Sequence, residues 1–368
     1  MQYHYFKRGL FLLIVIFLSV FTSACQQQSR EHHDEFLAFG TVINVTLLDV
    51  DIKTAEEAFR HIRDDLNVMH RVWHVWEPGS LMRINQLLQY TEEFSAAPSV
   101  LEVVHVAKDL AIKSQHLFNP AIGKLVALWG FHSHKEPGKL PSDHAIKELV
   151  KQNPTLENIT INGIRMNNNN AAVKIDLGGI AKGFAIDRLL TYLKQRGIRH
   201  ALINTGGDLK VIGKHGNRPW KVAIRDPRFN FNNKSNKKQT ANASKIVATL
   251  ELNDNEAVFT SGDYERYFKN KSNKNQDKHF HHIIDPRTGY PSKGTQSVTV
   301  LHHNASTADA AATALFIAGP TQWVEIAKAM KIKYVLLIDD KGKLHISTAM
   351  QERIKLEQAR EIIEQAEL

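Results

Sequence analysis

In "TADAAATALF", residues 307–316, Asp309 and Thr313 stand four residues apart. On a helix that spacing puts a carboxylate and a hydroxyl on one face, one turn apart. Both are hard oxygen donors. Mg2+ takes few protein ligands and completes its octahedron with water and phosphate oxygens. The plainer reading is that Thr307 or Asp309 caps the helix and Thr313 bonds back to its own turn. A second stretch, "KIDLGGIAKG" at 174–183, reads as a strand ending at Asp176, a Gly-Gly turn, and a helix beginning near Ile180. Glycines permit close backbone approach to a ligand, and a helix start offers free N–H groups to a phosphate. Lys182 on the first turn would add a full positive charge. The spacing is not that of a P-loop, and no Ser or Thr follows the lysine. A purely structural turn is an equal alternative here.

Two further motifs supply context. "HHIIDPRTGYP" places His282 before an apolar pair and a Pro-bracketed turn with Asp285 and Arg287. Such a histidine can act as a general base near neutral pH, or be an ordinary hydrogen-bonded side chain. "HVWEPGSLMRIN" and "HLFNPAIGKLVALWGF" carry Trp76, Phe118 and Trp129 beside Pro/Gly turns. These could stack on a planar ligand, though core packing is the default for aromatics.

The elements that must position these groups follow from periodicity. "FLAFGTVINVTLLD" alternates like a single strand. "TAEEAFRHIRDDLNVMHRVW" places Ala55, Phe59, Ile62, Leu66 and Met69 on one helical stripe. "PSVLEVVHVAKDLAIKSQH" predicts a second helix opened by Pro98. The helix after the Gly-Gly turn should close at Gly197. "ALINTGGDLKVIG" and "WKVAIRDP" predict successive strands, followed by "IVATLELNDNEAVFTSGDYERYF", strand "SVTVLH", the alanine-rich helix and strand "YVLLIDD". "QERIKLEQAREIIEQAEL" reads as a terminal amphipathic helix. Helices and strands mix without a doubly wound rhythm. The expected fold class is therefore α+β, mixed sheets flanked by helices, in one unit or two intimately packed subdomains.

The 368 residues are 43% hydrophobic and 23% charged, an ordinary globular balance. The net charge of +9 gathers largely in two Asn/Lys-rich stretches, 229–245 and 269–278. These read as loop insertions rather than a basic face interleaved with aromatics, so no nucleic-acid partner is expected. The N-terminus, "MQYHYFKRGLFLLIVIFLSVFTSAC", has Lys7 and Arg8, an apolar run from Leu10 to Phe21, then small residues before Cys25. That is signal-peptide anatomy, and a lone Cys after "TSA" resembles a lipobox, with Thr22 where Leu is more usual. The reading is a signal over residues 1–24, a polar tether over 25–35, a catalytic unit over 36–348 and a helical tail over 349–368. A chain so built would be anchored through lipidated Cys25 and face the periplasm, with the inner membrane as the leading expectation.

The motifs "GTVINVTL", "WEPGSLMRIN", "FNPAIGKLVALWGF", "IDLGGIAKGFAIDRL", "NTGGDLKVIG", "SGDYERYF", "HHIIDPRTGYP" and "TADAAATALFIAGP" occur in this order. From about Phe36 to Ser347 the chain resembles the ApbE family of FAD:protein FMN transferases. The resemblance implies Mg2+-dependent splitting of FAD, transfer of FMN to a Thr hydroxyl of an acceptor protein, and release of AMP. Some members instead hydrolyse FAD to FMN and AMP. It implies metal ligation by Asp309, Thr313 and the carbonyl of Gly179. It further implies FAD contacts at Phe39, Trp76, Leu117, Phe118, Asn119, Asp176, Lys182 and Ile284, with His282 as base. Phe39 stands where Met is common, and Asn119 where Asp is usual. The alanines around Asp309 would be thin enough to let a metal-bound diphosphate approach the helix.

Overall fold

A computed structural model describes residues 30–132, 140–228, 246–270, 278–357 and 361–368. The signal segment, Cys25 and most of the two polar insertions lie outside these residues. Among the described residues no helix is long and apolar enough to cross a membrane.

The first strand motif is a hairpin rather than one strand. β1 (Glu31–Ala38) pairs antiparallel with β2 (Thr41–Leu48), Phe36 facing Ile43. Phe39 and Gly40 turn the chain with φ of 52° and 73°. Two central residues at positive φ match the twist of the flanking strands. The alternation runs through the turn, which hid it. β1 also absorbs residues 31–35, read from sequence as tether.

Among the described residues nine strands form the main sheet, in the order β1-β2-β6-β7-β10-β13-β14-β15-β17. Its inner members are β6 (His200–Thr205), β7 (Asp208–Ile212), β10 (Ala257–Gly262), β13 (Thr295–His302), β14 (Tyr334–Asp339) and β15 (Leu344–Ser347). Every pair is antiparallel except β15 with β17 (Ile362–Ala366). Alternate side chains point to opposite faces, and here both faces are covered. Val298, Val300 and Leu337 join the core under the helices. Their neighbours Leu301, Leu336 and Ile338 join a second core under a three-stranded sheet. That sheet is β16 (Ile354–Leu356), β9 (Ile246–Leu252) and β8 (Trp220–Arg225). The architecture is α+β, as expected.

The helices read from periodicity lie where it put them, and three shorter ones, Ser80–Leu87, Gly123–Leu128 and Asp143–Lys151, were not expected. α1 (Ile52–Trp73) buries Ala55, Phe59, Ile62, Leu66 and Met69. α2 spans Ser80–Leu87, and α3 (Pro98–Lys113) carries Pro98 at its start. α4 (Gly123–Leu128) and α5 (Asp143–Lys151) build a satellite core around Trp129 and Ile284. α6 (Ala181–Gln195) is followed by Gly197 at φ 78°. The segment before α6 is not a strand. It makes one isolated bridge, Lys174 to Ile122, before the turn at 178–180.

α7 (Ala305–Ala329) is the alanine-rich helix, broken at Gly319 by a φ of 66° before Pro320. Its cap is Asn304, whose side chain accepts the Thr307 N–H. Thr307 and Asp309 are therefore not the capping residues. Ala308, Ala310, Ala311, Ala312 and Ala314 are all buried. Their small side chains let α7 pack closely against neighbouring elements. The tightest point is Gly183 on α6, where a Cβ would fall 2.4 Å from the Ala305 carbonyl oxygen.

The expected C-terminal helix ends after one short segment, α8 (Thr348–Arg353). The chain then supplies β16, which pairs with β9, and β17, which pairs with β15. Glu364 accepts Trp323 Nε1 at 2.6 Å and lies 3.2 Å from His345 Nδ1. Backbone pairing with two sheet edges and this half-buried contact outweigh the local helical pattern, as tertiary context commonly does.

Gly183→Ala tests the tight crossing. Alanine in a helix is ordinarily worth about 1 kcal/mol over glycine. Here overpacking against backbone should cost about 1–3 kcal/mol more than that gain. The expected result in thermal denaturation is a Tm lower by several degrees; an unchanged or higher Tm contradicts the packing.

Candidate active site

The crossing of α6 and α7 joins the two chemical motifs. Gly183 N–H donates to Asp309 Oδ2 at 3.0 Å. Thr313, one turn on, donates to the Asp309 carbonyl at 3.3 Å. Half of the plain reading of Thr313 therefore holds. The back-bond leaves the oxygen's lone pairs available. The missing Cβ of Gly179 lies 3.2 Å from Thr313 Oγ1 and 3.3 Å from the Phe118 ring. Gly179, Phe118, Asp309 and Thr313 thus converge, and a side chain at position 179 would crowd both neighbours.

Lys182 projects from the first turn of α6 into a direct ion pair with Asp208. Asp208 opens β7, is buried, and also accepts the Thr260 N–H at 2.8 Å. Burial would push the Lys182 ammonium down, but Asp208 and then Asp309 outweigh it and hold it above its ordinary value. Burial raises the Asp309 carboxyl to about 7; the Lys182 charge opposes the rise and Asp208 reinforces it. An electropositive lysine and two carboxylates share one poorly hydrated space. A further polar group, Ser261 Oγ, reaches Thr313 Oγ1 at 3.2 Å.

Asp176 and His282 form a second group, both within the field of Arg266. Asp176 accepts the Gly178 N–H at 2.9 Å. Burial raises its carboxyl, against the pull of that bond and of Arg266. His282 follows β12 (Lys278–His281). Its Nδ1 lies 3.2 Å from the Arg266 carbonyl, and its N–H donates to the same oxygen at 3.1 Å. A proton on Nδ1 leaves the Nε2 lone pair free. Burial, and next the Arg266 charge, depress the imidazole to about 3. The ring is neutral across the physiological range.

The remaining expected residues are more scattered. Trp76 is half-buried, with Lys174 Nζ 3.9 Å from its ring centroid. Burial lowers the Lys174 ammonium, and the Asp176 charge opposes that. Phe39 stacks on Trp73 at 6.0 Å, and Trp73 meets Phe184 of α6 edge-on at 5.5 Å. Leu117 is buried in the main core beside Phe118. Asn119 commits its amide to the Pro154 carbonyl and the Ala121 N–H. That side chain shapes its loop. Ile284 buries its side chain in the satellite core and leaves only its backbone, bridged to Pro291. Among the described residues no three His, Cys, Asp or Glu side chains gather as a metal cluster. A cation at Asp309 would rest on one carboxylate, one hydroxyl and backbone oxygen, the sparse donor set that suits Mg2+.

Sequence reasoning gave no role to Asp208, Ser261, Arg266 or Lys174. All four sit inside quoted motifs, "NTGGDLKVIG", "SGDYERYF" and "KIDLGGIAKG". A polar residue just past a Gly-Gly turn, or at the end of an apolar strand, was the available signal.

Comparison with known proteins gives the family. The ApbE family pattern matches residues 39–336, and the chain belongs to that family. A protein of Rhodobacter capsulatus named FAD:protein FMN transferase is 36% identical over 350 residues, 95% of this chain. The chain spans 63% of that relative's length. A Vibrio cholerae protein of the same name is 26% identical, covering 92% of this chain and 97% of the relative. The crystal structure of the ApbE protein of Thermotoga maritima superposes with a TM-score of 0.77 at 27% identity, covering 88% of this chain and 99% of that one.

The depressed His282 has a consequence for stability. Between its ordinary value, about 6.5, and its folded value of about 3, the unfolded chain binds a proton that the folded chain refuses. This contribution is present in full above pH 6.5 and is lost as pH falls towards 3. Denaturant unfolding at pH 7 and pH 4.5 should show a larger acid loss for the wild type than for His282→Gln. Equal losses contradict the assignment.

Proposed function

We propose that the chain transfers FMN from FAD to a Thr hydroxyl of an acceptor protein and releases AMP, with Mg2+ required. One observation carries the reading: the meeting of the Gly-Gly turn with the Asp309–Thr313 face. It brings the Asp309 carboxylate and the Thr313 hydroxyl beside the backbone of the Gly-Gly turn, with Lys182 on the helix that follows, and these are groups that a metal-bound diphosphate would use. Asp309, Thr313 and the Gly179 carbonyl would hold Mg2+, which supplies charge neutralisation on the diphosphate. Lys182, kept charged by Asp208, would sit against phosphate oxygens and stabilise charge building on the departing AMP. Trp76, Phe39, Leu117, Phe118, Asn119 and the Ile284 backbone would line the FAD site, with Asp176 at its edge. His282 Nε2 would take the proton from the acceptor hydroxyl as its oxygen attacks the FMN phosphorus. Positioning and electrostatics would dominate, as in phosphoryl transfer generally. Cys25 would carry a lipid anchor at the periplasmic face of a membrane.

The test is mass spectrometry of a co-incubated acceptor domain with FAD and Mg2+. The expected result is an FMN adduct on Thr, absent without Mg2+. AMP release with no adduct would overturn transfer in favour of FAD hydrolysis, and unchanged bound FAD would overturn both. Lys182→Met should lower kcat/KM by about 10²–10³. His282→Ala should slow transfer by about 10²–10⁴ while FAD affinity, read by flavin fluorescence, holds. Equal losses in both would make His282 a ligand contact instead. Asp309→Ala should abolish turnover in a folded protein.

A further inference from the structure

The bond between Ser261 Oγ and Thr313 Oγ1, 3.2 Å long, has no part in the chemistry above. Ser261 lies near the end of β10, paired with Val298 of β13. Residues before it, Val258 and Phe259, are apolar and buried. The strand turns polar where it meets Asp309 and Thr313 of α7: Thr260 N–H binds Asp208, Thr260 Oγ1 lies 2.9 Å from Thr299 Oγ1, and Ser261 binds Thr313.

A threonine hydroxyl has one proton and two lone pairs. The Thr313 proton goes to the Asp309 carbonyl at 3.3 Å. The Ser261 O–H then donates to one lone pair. Gly179 faces a third side, where the lack of a side chain leaves room: a Cβ there would stand 3.2 Å from the oxygen. One lone pair is left, and its direction is set by the two hydrogen-bonded partners. Ser261 and Thr313 are both only partly buried, so the pair is not sealed inside the core.

We propose that Ser261 is a positioning residue of the divalent-cation site, orienting Thr313 Oγ1 so that its remaining lone pair faces the metal. The inference rests on the reading of Asp309 and Thr313 as metal ligands. Outer partners of this kind typically change metal affinity by 10–100-fold when removed. The competing role is a simple tie between β10 and α7. That role predicts a stability loss with metal affinity intact. Alanine at 261 is nearly isosteric and leaves the Thr313–Asp309 bond in place, so the fold should survive.

The experiment titrates Mn2+ into the full chain with FAD and no acceptor, free Mn2+ being read by EPR. It compares wild type with Asp309→Ala, Ser261→Ala and Ser261→Thr, with Tm measured for each. Expected is a loss of about tenfold or more in Mn2+ affinity for Ser261→Ala, a Tm close to wild type, and recovery in Ser261→Thr to within about threefold. Wild-type affinity in Ser261→Ala overturns the proposal, as does an equal loss in Ser261→Thr. If Asp309→Ala also binds like wild type, the metal reading itself falls. If Asp309→Ala loses Mn2+ and Ser261→Ala does not, only the role of Ser261 falls.

Discussion

The Gly183 N–H to Asp309 Oδ2 bond, 3.0 Å long, fixes the geometry on which the rest depends. It forms because position 183 has no side chain and α6 can lie against the backbone at the start of α7. A buried carboxylate without partners is costly. Here a backbone N–H and a nearby lysine supply them, so Asp309 can sit inside a helix that is otherwise alanine and hydrocarbon. The same approach brings the Gly-Gly turn against Thr313 and Phe118. Two segments about 130 positions apart in the chain become one polar pocket in an apolar setting.

The sheet completes that pocket. β7 and β10 are neighbours, though β8 and β9 separate them in the chain. Their adjacency puts Asp208 and Ser261 beside the helix pair. Asp208 takes the Lys182 charge, so the lysine is held by a carboxylate that is itself fixed by the Thr260 N–H. In poorly hydrated surroundings such pairs have much stronger fields than in water. That field keeps Lys182 a cation despite burial. A different burden falls on His282, where desolvation and Arg266 keep the ring neutral. One fold thus keeps a charged lysine and an uncharged histidine available together at neutral pH.

Local patterns were legible where one physical rule dominated. The stripe of α1, Pro98 opening α3 and Gly197 closing α6 follow from periodicity and backbone preference. The hairpin at Phe39–Gly40 was hidden because alternation continues through a two-residue turn. The tail was misread because "QERIKLEQAREIIEQAEL" has a helical pattern, while two open sheet edges decide its fate. At the site, Asp309 and Thr313 announced themselves by spacing. Their partners did not: Asp208 and Ser261 meet them only through strand order, which no local pattern encodes. The cap of α7 belongs to Asn304, three residues before the motif that drew attention. That freed Asp309 from the bland explanation.

The central claim is that Asp309, Thr313 and Gly179 together hold the cation that neutralises the diphosphate of FAD. Anomalous diffraction from crystals grown with Mn2+ and FAD tests it most directly. The account predicts one strong peak within about 2.0–2.3 Å of an Asp309 carboxylate oxygen, Thr313 Oγ1 and the Gly179 carbonyl, touching a diphosphate oxygen. A Mn2+ peak elsewhere, with FAD bound and the Asp309 carboxylate still held by the Gly183 N–H, would contradict it.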